Sequence, residues 1–178
     1  VMEPRDLWQQ QRPPSKRDRG PRTVQEKVRL KFEGGHYGFE RNDPDGHLCD
    51  VWLYDDLVTP TGFLHGPAGV PREEQRNVAA VYEDLRPGTY SQRERLEDME
   101  LNHVSAAINY PNIFPRFCGQ GFLEREDKEF ALECLKIYND WIIDDWGGGA
   151  GRGKLIPLTL VPLWDPVLGA EEVRRCAS

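Results

Sequence analysis

Histidine, cysteine and carboxylate side chains are the residues of this chain that could bind a metal or act as nucleophiles. The four histidines are His36, His47, His65 and His103, and they form neither an HxH nor an HExxH pattern. His47 and Cys49 are two residues apart and would share a strand face, but two ligands do not make a four-ligand zinc site. We therefore expect these to be surface residues and not a metal centre.

Three loops carry weaker signals for ligand binding or catalysis. The sequence NDPDG at 42–46 is faintly similar to a calcium loop, but no glutamate follows at the twelfth position. The stretch GGGAGRGK at 147–154 follows a helix and precedes a strand, which reverses the order of a phosphate-binding P-loop. Cys118 in RFCGQG could be a nucleophile, but no histidine lies nearby in sequence to act as its base. We expect a turn, a helix end with a linker, and a small buried thiol in a tight loop.

Length and composition restrict the class of protein. A chain of 178 residues can form one domain with a buried core, and its 17 glycines and 14 prolines indicate many loops. The net charge of -7 argues against general nucleic-acid binding. No apolar run approaches the roughly 20 residues that cross a bilayer, so we expect no membrane span. The four cysteines show no CxxC spacing, which favours reduced thiols in a cytoplasmic protein.

The first 31 residues are the exception to this acidic balance. Basic residues outnumber acids there, at Arg5, Arg12, Lys16, Arg17, Arg19, Arg22, Lys27, Arg29 and Lys31. Such a segment could contact phosphate or an acidic partner. No aromatic stacking pattern accompanies the charges, so we expect a solvated, mobile loop.

The chain divides near Pro87 into a loop-rich first half and a more regular second half. In the first half, KVRLKF (27–32) and LCDVWLYDDLV (48–58) have the apolar and β-branched content of strands. The rest of residues 9–86 is rich in glycine, proline and charge, and we expect a loop-rich insertion there.

Helix and strand signals alternate in the second half. We expect a helix at 91–102, a strand at 104–110, a helix at 126–146, a strand at 154–163 and a helix that begins after Asp165. Leu96, Met99 and Leu101 form the predicted buried side of the first of these helices. The strand at 154–163 has no polar side, which is typical of parallel sheets, although Pro157 and Pro162 lack a backbone donor. This order predicts an α/β protein with parallel strands.

Four stretches of the chain resemble a known enzyme family. They are VMEPRDLW at the start, RPGTYSQRERLEDMELNHV from Arg86, FPRFCGQGFLEREDKEFALECLKIYNDWIIDDW from Phe114, and GKLIPLTLVPLWDPVLGAEEVRR from Gly153. Together they are similar to the amidohydrolase-related family of metal-dependent TIM-barrel enzymes, in the branch of aminocarboxymuconate-semialdehyde decarboxylase. The resemblance implies one incomplete domain over residues 1–178, a partial (β/α)8 TIM barrel with only its amino-terminal strands and helices, because a closed barrel needs about 250 residues.

The resemblance also implies a divalent metal, commonly zinc, and hydrolysis or non-oxidative decarboxylation of a small-molecule carboxylate. In that family an acid-x-His pair of metal ligands directly precedes a sequence such as VMEP, and later ligands follow further barrel strands. The implied ligands would lie before Val1 and beyond Ser178, so none maps onto this chain. We therefore expect the isolated chain to hold no metal and to be inactive. The alternative is a non-catalytic half-barrel module for interaction or oligomerisation, which binds a partner chain or a second copy of itself, as a homo-oligomer, through its open sheet edges.

Five residues are candidates for substrate binding: Arg86, Asn109, Tyr110, Phe117 and Trp164. Barrel active sites lie at the carboxyl ends of strands, where Asn109, Tyr110 and Trp164 are expected, and in the loops that follow, where Phe117 is expected. The resemblance adds Arg86, near an arginine that binds a substrate carboxylate in the decarboxylases. Each has a structural alternative, since Arg86 can pair with an acid and the aromatic residues can pack. No catalytic residue can be assigned.

Overall fold

The computed structural model of the protein describes residues 1–177 and has a mixed α/β fold. Its elements in chain order are α1 (Leu7–Gln10), α2 (Pro14–Arg17), β1 (Arg22–Glu33), β2 (His36–Arg41), β3 (His47–Tyr54), β4 (Leu57–Pro60), α3 (Gln92–Leu101), β5 (Ala107–Asn109), α4 (Gln120–Leu123), α5 (Lys128–Trp141), β6 (Leu155–Pro157) and α6 (Pro166–Cys176). Within the part of the chain that the structure describes, no helix has the length and apolar character that a membrane span requires.

An antiparallel sheet occupies the part of the chain that the sequence predicts to be loop-rich. Its strand order is β2-β1-β3-β4, and it is curled like half of a small barrel. The strand predicted at 27–32 is confirmed within β1. The single strand predicted at 48–58 is instead a hairpin, in which β3 ends at Tyr54 and β4 begins at Leu57, and the loop-rich prediction for 9–86 is wrong in extent. Strand β2 was not predicted, although the turn at Gly34 and Gly35 before it and the alternation of Tyr37 and Phe39 with polar residues are hairpin signals in the sequence.

The basic amino-terminal segment is ordered into α1, α2 and β1, which corrects the prediction of a mobile loop. Acids from other parts of the chain pair with several of its charges. Lys16 lies 2.6 Å from Glu133, Arg19 lies 2.8 Å from Asp127, and Arg29 lies 2.6 Å from Asp43.

Strands β5 and β6 form a separate parallel pair, with Ala107 opposite Leu155 and Asn109 opposite Pro157. The predicted strands are confirmed in position but are only three residues long. Proline at 157 removes a backbone donor, which explains the early end of β6. Beyond it, Leu160 bonds to a side chain and not to a strand: its amide donates to Asn139 Oδ1 at 2.7 Å and its carbonyl accepts from Asn139 Nδ2 at 2.9 Å.

Helix α5 supplies the largest share of the core and follows the predicted pattern. Its buried residues are Phe130, Ala131, Cys134, Leu135, Tyr138, Asn139 and Trp141. Asp127 caps its first turn by accepting a hydrogen bond from the amide of Phe130 at 3.0 Å. The predicted single helix to residue 146 instead ends in a π turn over Ile142–Trp146. That turn places Trp146 against the core and toward β5.

Helix α3 begins after Ser91 as predicted, but its predicted buried side is partly wrong. Met99 is buried and Leu96 is partly buried, whereas Leu101 is 74% exposed. Residues three apart share a helix face, while residues two apart point in nearly opposite directions at 100° per residue. Leu101 therefore cannot face the core together with Met99.

Helix α6 begins as the sequence predicts. Asp165 Oδ1 accepts hydrogen bonds from the amides of Val167 and Leu168, at 2.8 and 3.0 Å, and Pro166 occupies the first helical position. All four cysteines are free thiols: Cys49 and Cys134 are buried, Cys118 is exposed and Cys176 is half-buried. Burial raises the pKa of the Cys49 thiol to about 11.

Candidate functional site

The carboxyl end of β5 carries two of the predicted substrate-binding residues, and they face in different directions. Asn109 is buried, and its Oδ1 accepts a hydrogen bond from Trp146 Nε1 at 3.1 Å. Tyr110 follows it and has an exposed side chain. Because successive strand residues point to opposite faces, Asn109 lies toward the helical layer and Tyr110 away from it. Only Tyr110 is placed to meet a ligand from solvent.

The segment Val1–Pro4 lies against this end of β5. The Val1 amino group donates to the carbonyl of Tyr110 at 3.1 Å, and the Met2 amide donates to the carbonyl of Thr89 at 2.8 Å. On the other side, the amide of Ala107 donates to the carbonyl of Lys154, next to β6. In a parallel ladder alternate residues bond to opposite neighbours, so the backbone groups of residues 108 and 110 face the other edge. Val1–Pro4 therefore lies on the edge of β5 that β6 leaves free.

Glu3 is a buried carboxylic acid inside this segment. Neither of its carboxylate oxygens makes a hydrogen bond with the described residues, and the buried Tyr138 hydroxyl also has no described partner. Burial raises the pKa of Glu3 to about 7, although backbone amides of Glu3, Asn112 and Phe114 and the Val1 amino group partly offset the effect. Burial and then the Glu3 charge raise the pKa of Tyr138. Glu3 therefore titrates near neutral pH inside the core.

The sequence analysis did not single out Glu3 as a functional residue. The available signal was its place in VMEP, where an acid lies between Met2 and Pro4 with another apolar residue, Val1, before it. An acid among apolar residues is rarely buried without a partner or a function.

The loop after β5 exposes Phe117 and Cys118, which corrects the expectation that Cys118 is a buried thiol. Phe117 is 66% exposed and so does not pack in the core. Arg116 and Cys118 both adopt left-handed backbone conformations, with φ values of 57° and 56°, which are uncommon for residues other than glycine. Arg116 Nη1 bonds Glu124 at 3.0 Å. The loop holds Phe117 outward, where it can contact a ligand or partner.

Trp164 is half-buried at the edge of the main core, which agrees with a packing role. The Lys128 ammonium lies 5.4 Å from the centre of its ring, within the range of a cation–π contact. Its indole N–H has no hydrogen-bond partner among the described residues. Trp164 is therefore not held in place by a polar contact, unlike Trp146.

Arg86 forms an ion pair with Asp98. Pairing with an acid is the alternative to substrate binding that its sequence leaves open. Its Nε donates to Asp98 Oδ2 at 2.8 Å, and its Nη2 bonds the other carboxylate oxygen. This fork leaves Nη1 of Arg86 without a hydrogen bond to Asp98 and directed toward Gly69. In the described residues, no hydrogen bond or ion pair joins any two of the five predicted side chains.

The described residues do not supply the ligand set of a metal site. Among them, no group of three or more histidine, cysteine, aspartate and glutamate side chains is arranged to hold an ion. His47 is exposed, whereas Cys49 is fully buried, with Sγ 3.4 Å from the carbonyl of Thr61. The residues present therefore do not fit the divalent metal that the family resemblance implies.

A comparison with models of known protein families finds no match to this chain, and a search of curated proteins finds no significant match.

Proposed function

We propose that this chain forms the amino-terminal part of a metal-dependent amidohydrolase-type enzyme, which hydrolyses or decarboxylates a small carboxylic acid. The proposal rests on the resemblance of residues 1–8 and 86–178 to that family. The chain contributes one wall of a (β/α)8 barrel, and the metal ligands come from residues outside residues 1–178.

One structural observation supports the proposal more than any other. Val1–Pro4, β5 and β6 lie side by side in chain order, and β5 and β6 run parallel with α5 between them in sequence. Parallel strands that neighbour each other in sequence and are joined through a helix are the repeating unit of a (β/α)8 barrel. In this interpretation Val1–Pro4 follows the first barrel strand, and β5 and β6 are the second and third.

The two faces of the parallel pair also agree with a barrel wall. Asn109 and Leu155 are buried on the face toward the helices. Ile108 and Ile156 are paired in register on the opposite face and are 53% and 43% exposed. In a closed barrel this opposite face points inward and is filled by side chains from the other strands. The segment 154–163 has the apolar sequence of a strand that is covered on both faces. In this chain only one face of its strand, β6, is covered.

In such an enzyme the residues of this chain would contact the substrate and support the barrel wall, while other residues would bind the metal. When bound, a divalent ion lowers the pKa of water or polarises a substrate oxygen. Tyr110 and Phe117 are exposed at the carboxyl end of β5 and in its loop, where they would contact the substrate. Arg86 would contribute the one guanidinium nitrogen that Asp98 does not use. Asn109 and Trp164 instead hold the wall together through packing.

A second candidate is a non-catalytic module that self-associates. The uncovered pair Ile108 and Ile156 favours it, because an exposed apolar sheet face recruits another chain.

The DNA on both sides of the coding region tests the first proposal. We expect an open reading frame that continues upstream with an acid-x-His pair directly before Val1, and downstream with a histidine after a later strand. The longer protein should bind about one divalent ion per chain by elemental analysis. An in-frame stop codon directly upstream and one directly downstream would overturn the proposal.

A further inference from the structure

Strand β2 is an edge strand whose outer side pairs with no other strand of the described residues. It lies at one end of the strand order β2-β1-β3-β4, and all six of its residues are exposed. An edge strand presents free amides and carbonyls that can pair with a strand of another chain. Proteins commonly protect such edges with proline, lysine or a bulge. Strand β2 has none of these, since it contains neither proline nor lysine and pairs residue for residue with β1.

The register of the hairpin determines which backbone groups of β2 face its free edge. Residues of an antiparallel strand bond alternately to one side and to the other. The carbonyl of Lys27 in β1 accepts a hydrogen bond from the amide of Asp43, just after β2, so the odd-numbered residues of β1 bond toward β2. Their partners in β2 are His36, Gly38 and Glu40. The backbone groups that face the free edge therefore belong to Tyr37, Phe39 and Arg41.

Exposed aromatic side chains lie on one face of this hairpin. Phe32, Tyr37 and Phe39 are 59%, 73% and 39% exposed, and the ring centres of Phe32 and Tyr37 are 4.7 Å apart. Phe32 lies opposite Tyr37, and Phe39 lies opposite Leu30, so all of them share the face on which Val28 is buried. This aromatic patch of Phe32, Tyr37 and Phe39 is an uncovered continuation of the apolar cluster around Val28 and Leu30.

The charged residues of β2 are paired within their own hairpin. Glu40 pairs with Lys31, and Arg41 pairs with Glu26. Unpaired charges on an edge strand oppose the approach of another strand. Because both charges are balanced by β1, they do not protect this edge in that way.

A second copy of β2 is complementary to this edge in an antiparallel register. Two strands can pair only where free backbone groups meet, so Tyr37 can lie opposite Phe39 but not opposite Glu40. With a two-fold axis at Gly38, Tyr37 of each copy lies opposite Phe39 of the other. The same register places the His36 imidazole of each copy opposite the Glu40 carboxylate of the other. Aromatic pairs and pairs of an acid with a base both stabilise neighbouring strands.

The next register that the backbone allows is less favourable. Its axis lies at Phe39, so Tyr37 lies opposite Arg41 and His36 lies beyond the end of the partner strand. The Glu40 side chains of the two copies become diagonal neighbours, where like charges repel. The side chains therefore select the axis at Gly38.

We propose that this protein dimerises through β2, with the β2 strands of two copies antiparallel about a two-fold axis at Gly38 and the aromatic patch of each copy packed against that of the other. The two four-stranded sheets then form one continuous sheet. This surface is separate from the face of Ile108 and Ile156, which belongs to the sheet of β5 and β6. The inference does not depend on the proposed enzyme, because all the contacts come from β1 and β2.

Disulfide cross-linking tests the proposed register. Gly38 would lie opposite Gly38 of the second copy in a non-hydrogen-bonded pair, in which the Cα atoms are about 4.5 Å apart, a distance that a disulfide spans. A Cβ at Gly38 has no other atom within 4 Å, so Gly38→Cys should not disturb the fold. We expect this variant to form a disulfide-linked dimer under mild oxidation. A Cys118→Ser background removes the exposed native thiol.

His36→Cys in the same background is the matched control, because residue 36 lies on the same face of β2. In the proposed dimer it lies four residues, or about 13 Å, from residue 36 of the second copy, too far for a disulfide. It should give at least about tenfold less cross-linked dimer than Gly38→Cys. Light scattering under reducing conditions should show that both variants still dimerise through their aromatic contacts.

Phe39→Pro tests the free edge itself. It removes an amide that faces the edge but none that bonds β1, so the hairpin should remain and the dimer should be lost. If Phe39→Pro fails to fold, Tyr37→Lys gives the same comparison of masses. Equal cross-linking of Gly38→Cys and His36→Cys, or a wild type that is monomeric at high concentration, would overturn the inference. A dimer that Ile108→Lys and Ile156→Lys abolish, and that Phe39→Pro and Tyr37→Lys leave intact, would also overturn it. The proposed enzyme is tested separately, by the flanking DNA.

Discussion

Trp146 donates its indole N–H to the side-chain oxygen of Asn109 across the interface between the π turn and β5, at 3.1 Å. Both residues are buried, so neither has water as an alternative partner. The contact joins the end of the α5 segment to the parallel pair of strands. It also explains why Asn109, a predicted substrate-binding residue, faces the core and not the proposed site.

Trp146→Phe should destabilise the protein by about 1–3 kcal/mol, because it leaves the Asn109 oxygen buried without a donor. Urea unfolding followed by circular dichroism measures the change. Trp164→Phe is the matched control, since the Trp164 indole N–H has no described partner. We expect it to cost less than Trp146→Phe, and equal losses in the two variants would show that the hydrogen bond does not stabilise the fold.

Glu3 should make stability fall as pH rises from about 4.5 to about 7. Its pKa in the folded protein is about 7, above the value of 4.5 for a free glutamate, so the folded state keeps its proton where the unfolded chain has lost it. Stability from this group is fully present below pH 4.5 and is lost as pH rises through the folded value. The loss is about 3 kcal/mol, since one pKa unit corresponds to about 1.4 kcal/mol.

The Glu3→Gln variant checks this, because glutamine does not titrate. Free energies of unfolding at several pH values between 4 and 8 should show a gap between variant and wild type that shifts in favour of the variant with rising pH. Glu97→Gln, at an exposed position of α3, should run parallel to the wild type. A pH-independent gap for Glu3→Gln would mean that Glu3 is not protonated in the fold near neutral pH.

Asn139→Ala should be among the most destabilising single changes, at about 2–4 kcal/mol. Asn139 bonds both backbone groups of Leu160, and its Nδ2 also donates to buried Glu172 at 2.7 Å. Its loss leaves these groups without partners in the core. Thermal or urea unfolding measures the effect, with Asn102→Ala as control because Asn102 is exposed and makes one contact to the Asp98 carbonyl. Comparable losses at 139 and 102 would contradict the network.

Lysine at Ile108 and Ile156 should reduce self-association of the 178-residue chain, if the uncovered sheet face recruits a second copy. A charge on an exposed apolar sheet face opposes the burial of that face against another chain. Light scattering coupled to size-exclusion chromatography over a range of concentrations gives the mass. Leu101→Lys, at the exposed end of helix α3, is the control and should leave the mass unchanged. A wild type that stays monomeric at high concentration would exclude the self-association candidate.

Regular elements with strong local signals could be predicted, and elements without them could not. The apolar spacing of α5, the capping residues Asp127 and Asp165, and the turn at 42–46 have causes within a few residues of sequence. Strand β2 has only a weak local signal, the glycine turn at 34–35 before the alternating Tyr37 and Phe39, because neither of its faces is buried and its partner β1 supplies its hydrogen bonds. The candidate site divides in the same way: Tyr110 and Phe117 were predictable from strand ends, whereas the burial of Glu3 depends on what surrounds it.

The sequence by itself determined the helical periods, the helix starts, the two parallel strand positions and the absence of disulfide spacing. These follow from short-range chemistry, in which capping side chains, prolines and apolar spacing act on their own neighbours. Only the tertiary structure decided the antiparallel sheet, the burial of an unpartnered acid at residue 3, and the pairing of Arg86 with an acid. Those outcomes follow from contacts between residues that are distant in the sequence, such as Val1 with Tyr110 and Arg86 with Asp98. Which side chains are buried and which are paired is decided only when the whole chain is folded.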